Sequence, residues 1–303
     1  MFLNKFLLVA LLCFLSCKEE SETKKNELVE AIVATKAFNK QDYDFENPKL
    51  FKLNNALQEI SGLSFYNGYL YTHNDEEGKI FKVDASSGKI VDEISFGKDA
   101  DYEGIEVSKK EAIVIKSNGD LSFFNFNSEK LSIEKNQLKT QNDVEGLCFK
   151  SKNELLIACK GQMLDDDLKN KAKAIYSYDL KKNELKKKPF LVVKDKTLEK
   201  YLKDELKSID VSKKKKKEMK NRAIAFAPSG IAIHPKTKDV YITSAKGNLI
   251  VVYSSKKKLQ DVIFLNEKQL PQPEGICFDE NGNLYLSTET KGSVGRIYKY
   301  IYQ

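Results

Sequence analysis

The chain has 303 residues, of which 41% are hydrophobic, 10% aromatic and 31% charged. That is enough apolar mass for one large core, or two ordinary ones, under a well-solvated surface. The formal net charge of +7 sits in lysine runs at residues 181–188 and 213–217, with arginine only at Arg222 and Arg296; without a basic stripe interleaved with aromatics, nucleic acid is excluded as a partner.

The first segment reads as a processed leader. Lys5 precedes an apolar run over residues 6–15, and Ser16-Cys17 follows. The run is roughly half the length that spans a bilayer, so residues 1–16 fit a signal peptide better than a transmembrane helix. The order Phe14-Leu15-Ser16-Cys17 is similar to a bacterial lipobox, with Phe14 where leucine is commoner. Lipidation of Cys17 is therefore expected, with a plain secretory signal as the alternative. Residues 17–46 then form a tether, with a short helix near residues 28–33. The opening Cys17-Lys18-Glu19-Glu20 is similar to acidic signals that send lipoproteins to the outer face of an outer membrane. The expected location is the cell envelope, on a membrane reached through the lipid on Cys17, with the outer membrane and the cell surface as its finer form.

From residue 47 to 303 one unit recurs: a short polar lead, an acid or serine, glycine, then apolar residues. It occurs at Ser61-Gly62-Leu63, Glu103-Gly104-Ile105, Glu145-Gly146-Leu147, Ser229-Gly230-Ile231 and Glu274-Gly275-Ile276, with glycines spaced by 42, 42, 84 and 45 residues. A period near 40–45 with short alternating strands is the range of β-propeller blades. Each unit continues into further strands, separated by turn pairs such as Ser87-Gly88, Asn118-Gly119 and Asn281-Gly282. Fourth strands are expected near residues 90–94, 131–133, 190–193 and 262–265.

The 84-residue gap could hide a sixth blade. Residues 194–222 alternate poorly, however, and Leu198, Leu202, Leu206 and Ile209 recur at helical spacing. The expected fold is all-β, a five-bladed propeller with a short helical insertion near 194–222; six blades is the alternative. The last blade has three strands, and an early strand at residues 48–53 would complete it and close the ring.

The innermost strand of a blade lines the central channel, and the repeated unit opens that strand. The pattern thus puts Glu103, Glu145 and Glu274 on one level, with Ser61 and Ser229 in the other two blades. One step out lie Glu59, Asp101, Asp143, Ala227 and Gln272. Gathered carboxylates repel unless protonated or neutralised by a cation. Oxygen-only donors suit Ca²⁺, and with two histidines and no cysteine cluster zinc is disfavoured. The candidate metal ligands are Glu103, Glu145, Glu274, Asp75 and Glu289; the other channel polar groups are Glu59, Ser61, Asp101, Asp143 and Ser229. The competing reading is that acid-Gly merely starts a strand, the glycine taking a bulge or a close blade contact. His73 could be a general base, but no nucleophile can be placed beside it, so no catalytic residue is assigned. Cys148, Cys159 and Cys277 read as buried small apolar residues.

The ordered set Ile60-Ser61-Gly62-Leu63, Asn74-Asp75-Glu76, Asp101 to Ile105, Asp143 to Leu147, Pro228 to Pro235 and Pro273 to Ile276, followed by Leu284 to Glu289, resembles the SdiA-regulated domain family over roughly residues 47–302. The resemblance implies a five-bladed propeller distantly related to NHL-repeat proteins, an envelope location and a calcium site, and it places Glu103, Glu145 and Glu274 in the repeated motif. It implies no single activity. Three functions are carried forward. The first is a calcium-bound propeller that binds a small molecule or protein partner. The second is a metal-dependent hydrolase of ester, lactone or phosphoester substrates, in which Ca²⁺ would polarise the scissile group. The third is an adhesion or assembly scaffold that needs no metal.

Overall fold

A computed structural model describes residues 42–164, 171–290 and 293–303. The leader, the lipid-bearing Cys17 and the helix expected near residues 28–33 lie outside the described residues. The rest forms five four-stranded antiparallel sheets. Blade 1 holds β2 (Ile60–Tyr66), β3 (Tyr69–Asn74), β4 (Lys79–Asp84) and β5 (Ile90–Ser95); blade 2 holds β6 (Tyr102–Val107), β7 (Glu111–Lys116), β8 (Leu121–Asn125) and β9 (Lys130–Glu134). Blade 3 holds β10 (Val144–Ser151), β11 (Glu154–Cys159), β12 (Ala172–Asp179) and β13 (Glu184–Lys194); blade 4 holds β14 (Gly230–Ile233), β15 (Val240–Ser244), β16 (Leu249–Tyr253) and β17 (Leu259–Phe264). Blade 5 joins β18 (Gln272–Phe278), β19 (Leu284–Glu289) and β20 (Arg296–Tyr300) to the early strand β1 (Lys49–Lys52).

The gap that might have held a sixth blade holds helices. α1 (Asp195–Glu205) and α2 (Lys213–Ile224) pack side by side. Leu198, Leu202, Leu206 and Ile209 are buried with Met219 and Ala223 of α2 in a core shared with blades 3 and 4. The helical period thus put its apolar stripe on the core-facing side. The Ser212 hydroxyl caps α2, accepting a hydrogen bond from the Lys215 N–H (3.2 Å).

The core lies between blades. Separate apolar clusters fill the gaps between blades 1 and 2, 2 and 3, 3 and 4, 4 and 5, and 5 and 1. Cys148, Cys159 and Cys277 are free thiols buried in them. Local chemistry sets the hairpins. At the end of the third strand, Asp84, Asn125 and Asp179 each accept hydrogen bonds from two backbone N–H groups of the following turn. Between β2 and β3, Asn67 and Gly68 both have positive φ (50° and 83°), the pair that a tight hairpin with the sheet's own twist requires.

The ring closes through β1. It pairs antiparallel with β20, Lys49 opposite Lys299 and Lys52 opposite Arg296. Phe51 of β1 is buried against Leu57, Phe81 and Val83 of the next blade as well as Tyr285 and Ile297 of its own. A second contact backs this up: the Tyr43 hydroxyl donates to Gly282 O (2.7 Å), 239 residues away in the chain.

Candidate functional site: the axial channel

The five inner strands touch in the cyclic order β2, β6, β10, β14, β18 and back to β2. What lets them approach is the glycine of each repeat. A Cβ on Gly104 would lie 2.9 Å from Leu147 N, one on Gly146 would lie 3.0 Å from Gly230 Cα, and one on Gly275 would lie 2.6 Å from Ser61 O. Each glycine therefore faces the inner strand of the next blade, so the sequence alternative of a close blade contact accounts for the glycines. It does not account for the acids, which occupy the preceding position.

At that preceding position the two serines and three glutamates behave differently. The Ser61 hydroxyl donates to Glu103 O (3.0 Å), and the Ser229 hydroxyl donates to Pro273 O (2.6 Å), so both latch neighbouring blades. Ser287 and Thr243 do the same from the second strands, to Ser61 O (3.0 Å) and Glu274 O (2.9 Å). Glu103, Glu145 and Glu274 instead lie within range of one another's charge. Burial pushes the Glu103 carboxyl up, and the negative charges of Glu145, Asp101 and Glu274 push it further. Glu274 is raised by burial and then by Glu145 and Glu289. Glu145 is raised by burial to about 7 even though a lysine opposes the shift.

That lysine is Lys160, which the sequence reading passed over. Its ammonium bonds the Glu145 carboxylate and lies 3.7 Å from that of Asp143. Burial alone would lower its pKa, but Glu145, Asp143 and Glu103 outweigh this and hold it well above the usual lysine value. The register shows how it could have been found. The residue that closes the second strand is Asp75 in blade 1, Ser117 in blade 2, Lys160 in blade 3 and Glu289 in blade 5, and each stands beside the lead residue of its own blade. The backbone N–H groups of Asp75, Ser117 and Lys160 donate to Glu59 O, Asp101 O and Asp143 O respectively, while Gln272 pairs with Glu289.

These pairs form the mouth of the channel. Ser117 Oγ donates to the Asp101 carboxylate, and Gln272 Nε2 donates to Glu289 Oε2 (2.8 Å). Blade 1 is the exception, for it sets two acids together. Asp75 is lifted to about 6 by burial and then by Glu59, and its buried Oδ1 has no hydrogen-bond partner among the described residues. Among the described residues, charge around the mouth is thus lopsided, with an unpaired acid on blade 1 and an ammonium on blade 3.

Below the glycines lies a floor. Glu106 accepts hydrogen bonds from Ser64 Oγ (2.9 Å) and Phe149 N (3.1 Å), one from each neighbouring blade. Burial lifts its carboxyl to about 7, against those bonds. Cys148 and Cys277 share its position in the repeat, and burial raises both thiols, with Glu106 adding to the effect. His73 is off the channel. It is fully buried behind Gly62, its Nδ1–H donates to Asn74 O (2.8 Å), and burial lowers its pKa to about 4.

Oxygen donors and excess negative charge suit a hard cation in chemical kind. At the acid level a divalent ion would favour the ionised forms of the three raised carboxyls. Among the described residues no three acids, histidines or cysteines close on a common point, and Glu145 is already held by Lys160.

These shifts set a pH profile for the metal-free protein. The raised channel glutamates contribute most while protonated, below the ordinary range near 4.3. That contribution is lost as pH rises, through about 7 for Glu145. His73, lowered to about 4, has the opposite sign: its contribution is full above its ordinary value and is lost as pH falls toward 4. Stability in EDTA should therefore peak in mildly acidic solution and decline toward pH 8.5. Glu103→Gln, which removes one of the facing charges, should raise the melting temperature at pH 8.5 by a few degrees, on the order of 1–2 kcal/mol, and flatten the decline. An unchanged slope in this variant would show that the facing carboxylates do not set it.

The model of the SdiA-regulated family matches residues 35–291. The chain belongs to this family. No curated protein matches it in sequence. Among solved structures, Myxococcus xanthus glutaminyl cyclase matches with a TM-score of 0.53 at 11% identity, over 83% of this chain and 93% of that one. XC5397 of Xanthomonas campestris, a gluconolactonase, matches with a TM-score of 0.50 at 11% identity, over 86% and 91%. At that identity the likeness is one of propeller fold. Among the described residues no helix is long and apolar enough to cross a membrane.

Proposed function

We propose that this member of the SdiA-regulated family is an envelope lipoprotein, anchored through Cys17 to the outer membrane, whose channel holds Ca²⁺ and whose mouth binds a small molecule or protein partner. The observation that carries the reading is the acid level itself. Glu103 and Glu274 lie within range of each other's charge and of Glu145 in a largely buried setting, and among the described residues Lys160 is the cation in contact with Glu145. Burying like charges without compensation is costly, and strand punctuation alone does not call for it. Glu103, Glu274, Glu145, Asp75 and Glu289 would hold the ion, with the unpartnered Asp75 Oδ1 as a ready donor at the mouth. Bound there, the ion would neutralise the acid level and tie blades 1, 2, 3 and 5 together.

The hydrolase reading needs an acid–base group beside the ion. His73 does not supply it, being neutral and enclosed between blades. That role would fall to a raised carboxyl, Glu103 or Asp75, only if it were not itself a ligand of the ion.

The test is thermal unfolding of the soluble chain from about residue 24 onward in excess EDTA and then with Ca²⁺ or Mg²⁺. A ligand at 100 times its dissociation constant that binds only the folded state adds about 2.7 kcal/mol, several degrees in a domain of this size. A calcium-specific rise that disappears in Glu274→Gln is the expected result. No response in protein shown to be metal-free would leave the metal-independent scaffold as the better account. If calcium does bind, hydrolysis of lactone and ester probes, lost in Glu103→Gln, would move the protein to the enzyme reading.

A further inference from the structure

Lys160 stands where the register puts an acid in blades 1 and 5 and a hydroxyl in blade 2. Its place is fixed by backbone rather than by chance of side-chain reach. The Lys160 N–H donates to Asp143 O (2.7 Å), the Gly161 N–H to Asn142 O (2.9 Å) and the Gln162 N–H to Gln141 O (2.8 Å). Asn142 Nδ2 returns a bond to Gln162 O (2.6 Å), and the Lys173 ammonium donates to Lys160 O. Three successive residues are thus tied to the lead of their own blade. A Cβ on Gly161 would run into the backbone of Gln141 and Asn142, so this close pairing depends on glycine. From that fixed point the side chain, 45% exposed, reaches the inner strand of its own blade and a Glu145 side chain that is 6% exposed. The groups that face the ammonium are Glu145 and Asp143 of its own blade, Glu103 of blade 2 and Glu274 of blade 5, with the Lys173 ammonium on β12 behind it.

We infer that Lys160 is the resident counter-cation of the channel, and that a divalent ion reaches the glutamates only by displacing its ammonium from Glu145. The second half rests on the calcium reading above; the first does not. The half-exposed side chain has water to swing into, and the carboxylate it leaves is nearly enclosed. Ion binding is then an exchange of cations, a divalent ion for an ammonium, in which Glu145 is never left without a counter-charge. Lys160 holds the metal-free channel together and, for the same reason, weakens the apparent affinity for the ion.

Two measurements at one fixed pH near 8 test this on the soluble chain from about residue 24 onward. The first is calcium titration calorimetry on the wild type, Lys160→Met and Lys173→Met. Lys160→Met keeps the chain length and removes the competing charge, so calcium should bind about tenfold or more tightly. Lys173→Met removes an equal charge close by without vacating Glu145, and its affinity should stay within about twofold of wild type. The second is melting in EDTA of Lys160→Met, Glu145→Gln and the double variant. The single lysine variant should melt several degrees lower, and the double variant should recover most of that loss, because the stranded carboxylate is gone.

Equal calcium affinity for wild type and Lys160→Met, or an equal gain from Lys173→Met, would overturn the displacement while leaving the calcium reading in place. No calcium binding by any of the three would overturn the calcium reading. The counter-cation role would then stand or fall on the melting cycle alone. A Lys160→Met protein that melts like wild type in EDTA, with no coupling to Glu145→Gln, would overturn that role.

Discussion

Gly275→Ala is expected to lower the melting temperature by about 6–12 °C, or to prevent folding of the isolated domain. The added methyl group would sit 2.6 Å from Ser61 O and 2.7 Å from Leu63 N. Both are backbone atoms of the neighbouring blade, so no side chain can rotate away. Overpacking a well-packed site typically costs about 1–3 kcal/mol; here relief would require moving one inner strand outward in a ring whose five members already touch. About 3 kcal/mol is therefore the expected floor, at roughly 2–4 °C for each kcal/mol in a large domain. The control is Gly68→Ala. No atom lies within 4 Å of its added methyl, though its φ of +83° still strains the substitution. If Gly275→Ala proves no worse than Gly68→Ala, close blade approach is not what the repeated glycine provides.

Phe51→Ala should be of similar size, with a different signature. Phe51 is 3% exposed, at the junction of blades 5 and 1. Emptying a buried phenylalanine site costs about 3–5 kcal/mol. Its strand holds the ring shut, so the loss should appear as local opening before global melting. In native-state hydrogen exchange, amides of β1 and β20 should lose protection in the variant while those of β7 and β11 keep theirs. Uniform loss across all blades would mean that closure and global unfolding are one event.

Much of this architecture was legible in the sequence because the ring is built from one repeated contact. Gly62, Gly104, Gly146, Gly230 and Gly275 recur at blade spacing because each blade meets the next at the same place. The helical insertion was legible because Leu198, Leu202, Leu206 and Ile209 keep the period of a helix where strands would alternate. The early strand could be assigned to the last blade because three strands there lacked a fourth.

The channel was less legible, because its chemistry is made between blades. Glu103, Glu145 and Glu274 could be placed on one level from the repeat, but not which of them has a cation in contact. Lys160 belongs to no acidic motif and stands just past the end of a strand, and its importance appears only when blade 3 is aligned with the mouths of its neighbours. Glu106 alternates with apolar residues as a solvent-facing strand residue would, yet Ser64 and the Phe149 N–H meet it from the two neighbouring blades. Ser61 and Ser229 share the register of the glutamates, but a hydroxyl is short enough to turn back onto the next carbonyl, and so they fasten blades.

The pairing of β1 with β20 also governs the order in which the molecule can be made. The closing partners come from opposite ends of the propeller, so β1 must wait, unpaired, until β20 is available. Blades 1 to 4 are local in sequence and can form as they appear; the last one can form only by closing a loop that contains all the others. Contacts of such long range are slow to form, because the entropy of bringing the ends together is spent before any contact returns it. A folding reaction with four quick blades and one late seal is the expected course, and the unsealed intermediate would carry an open strand edge that invites pairing with a second chain.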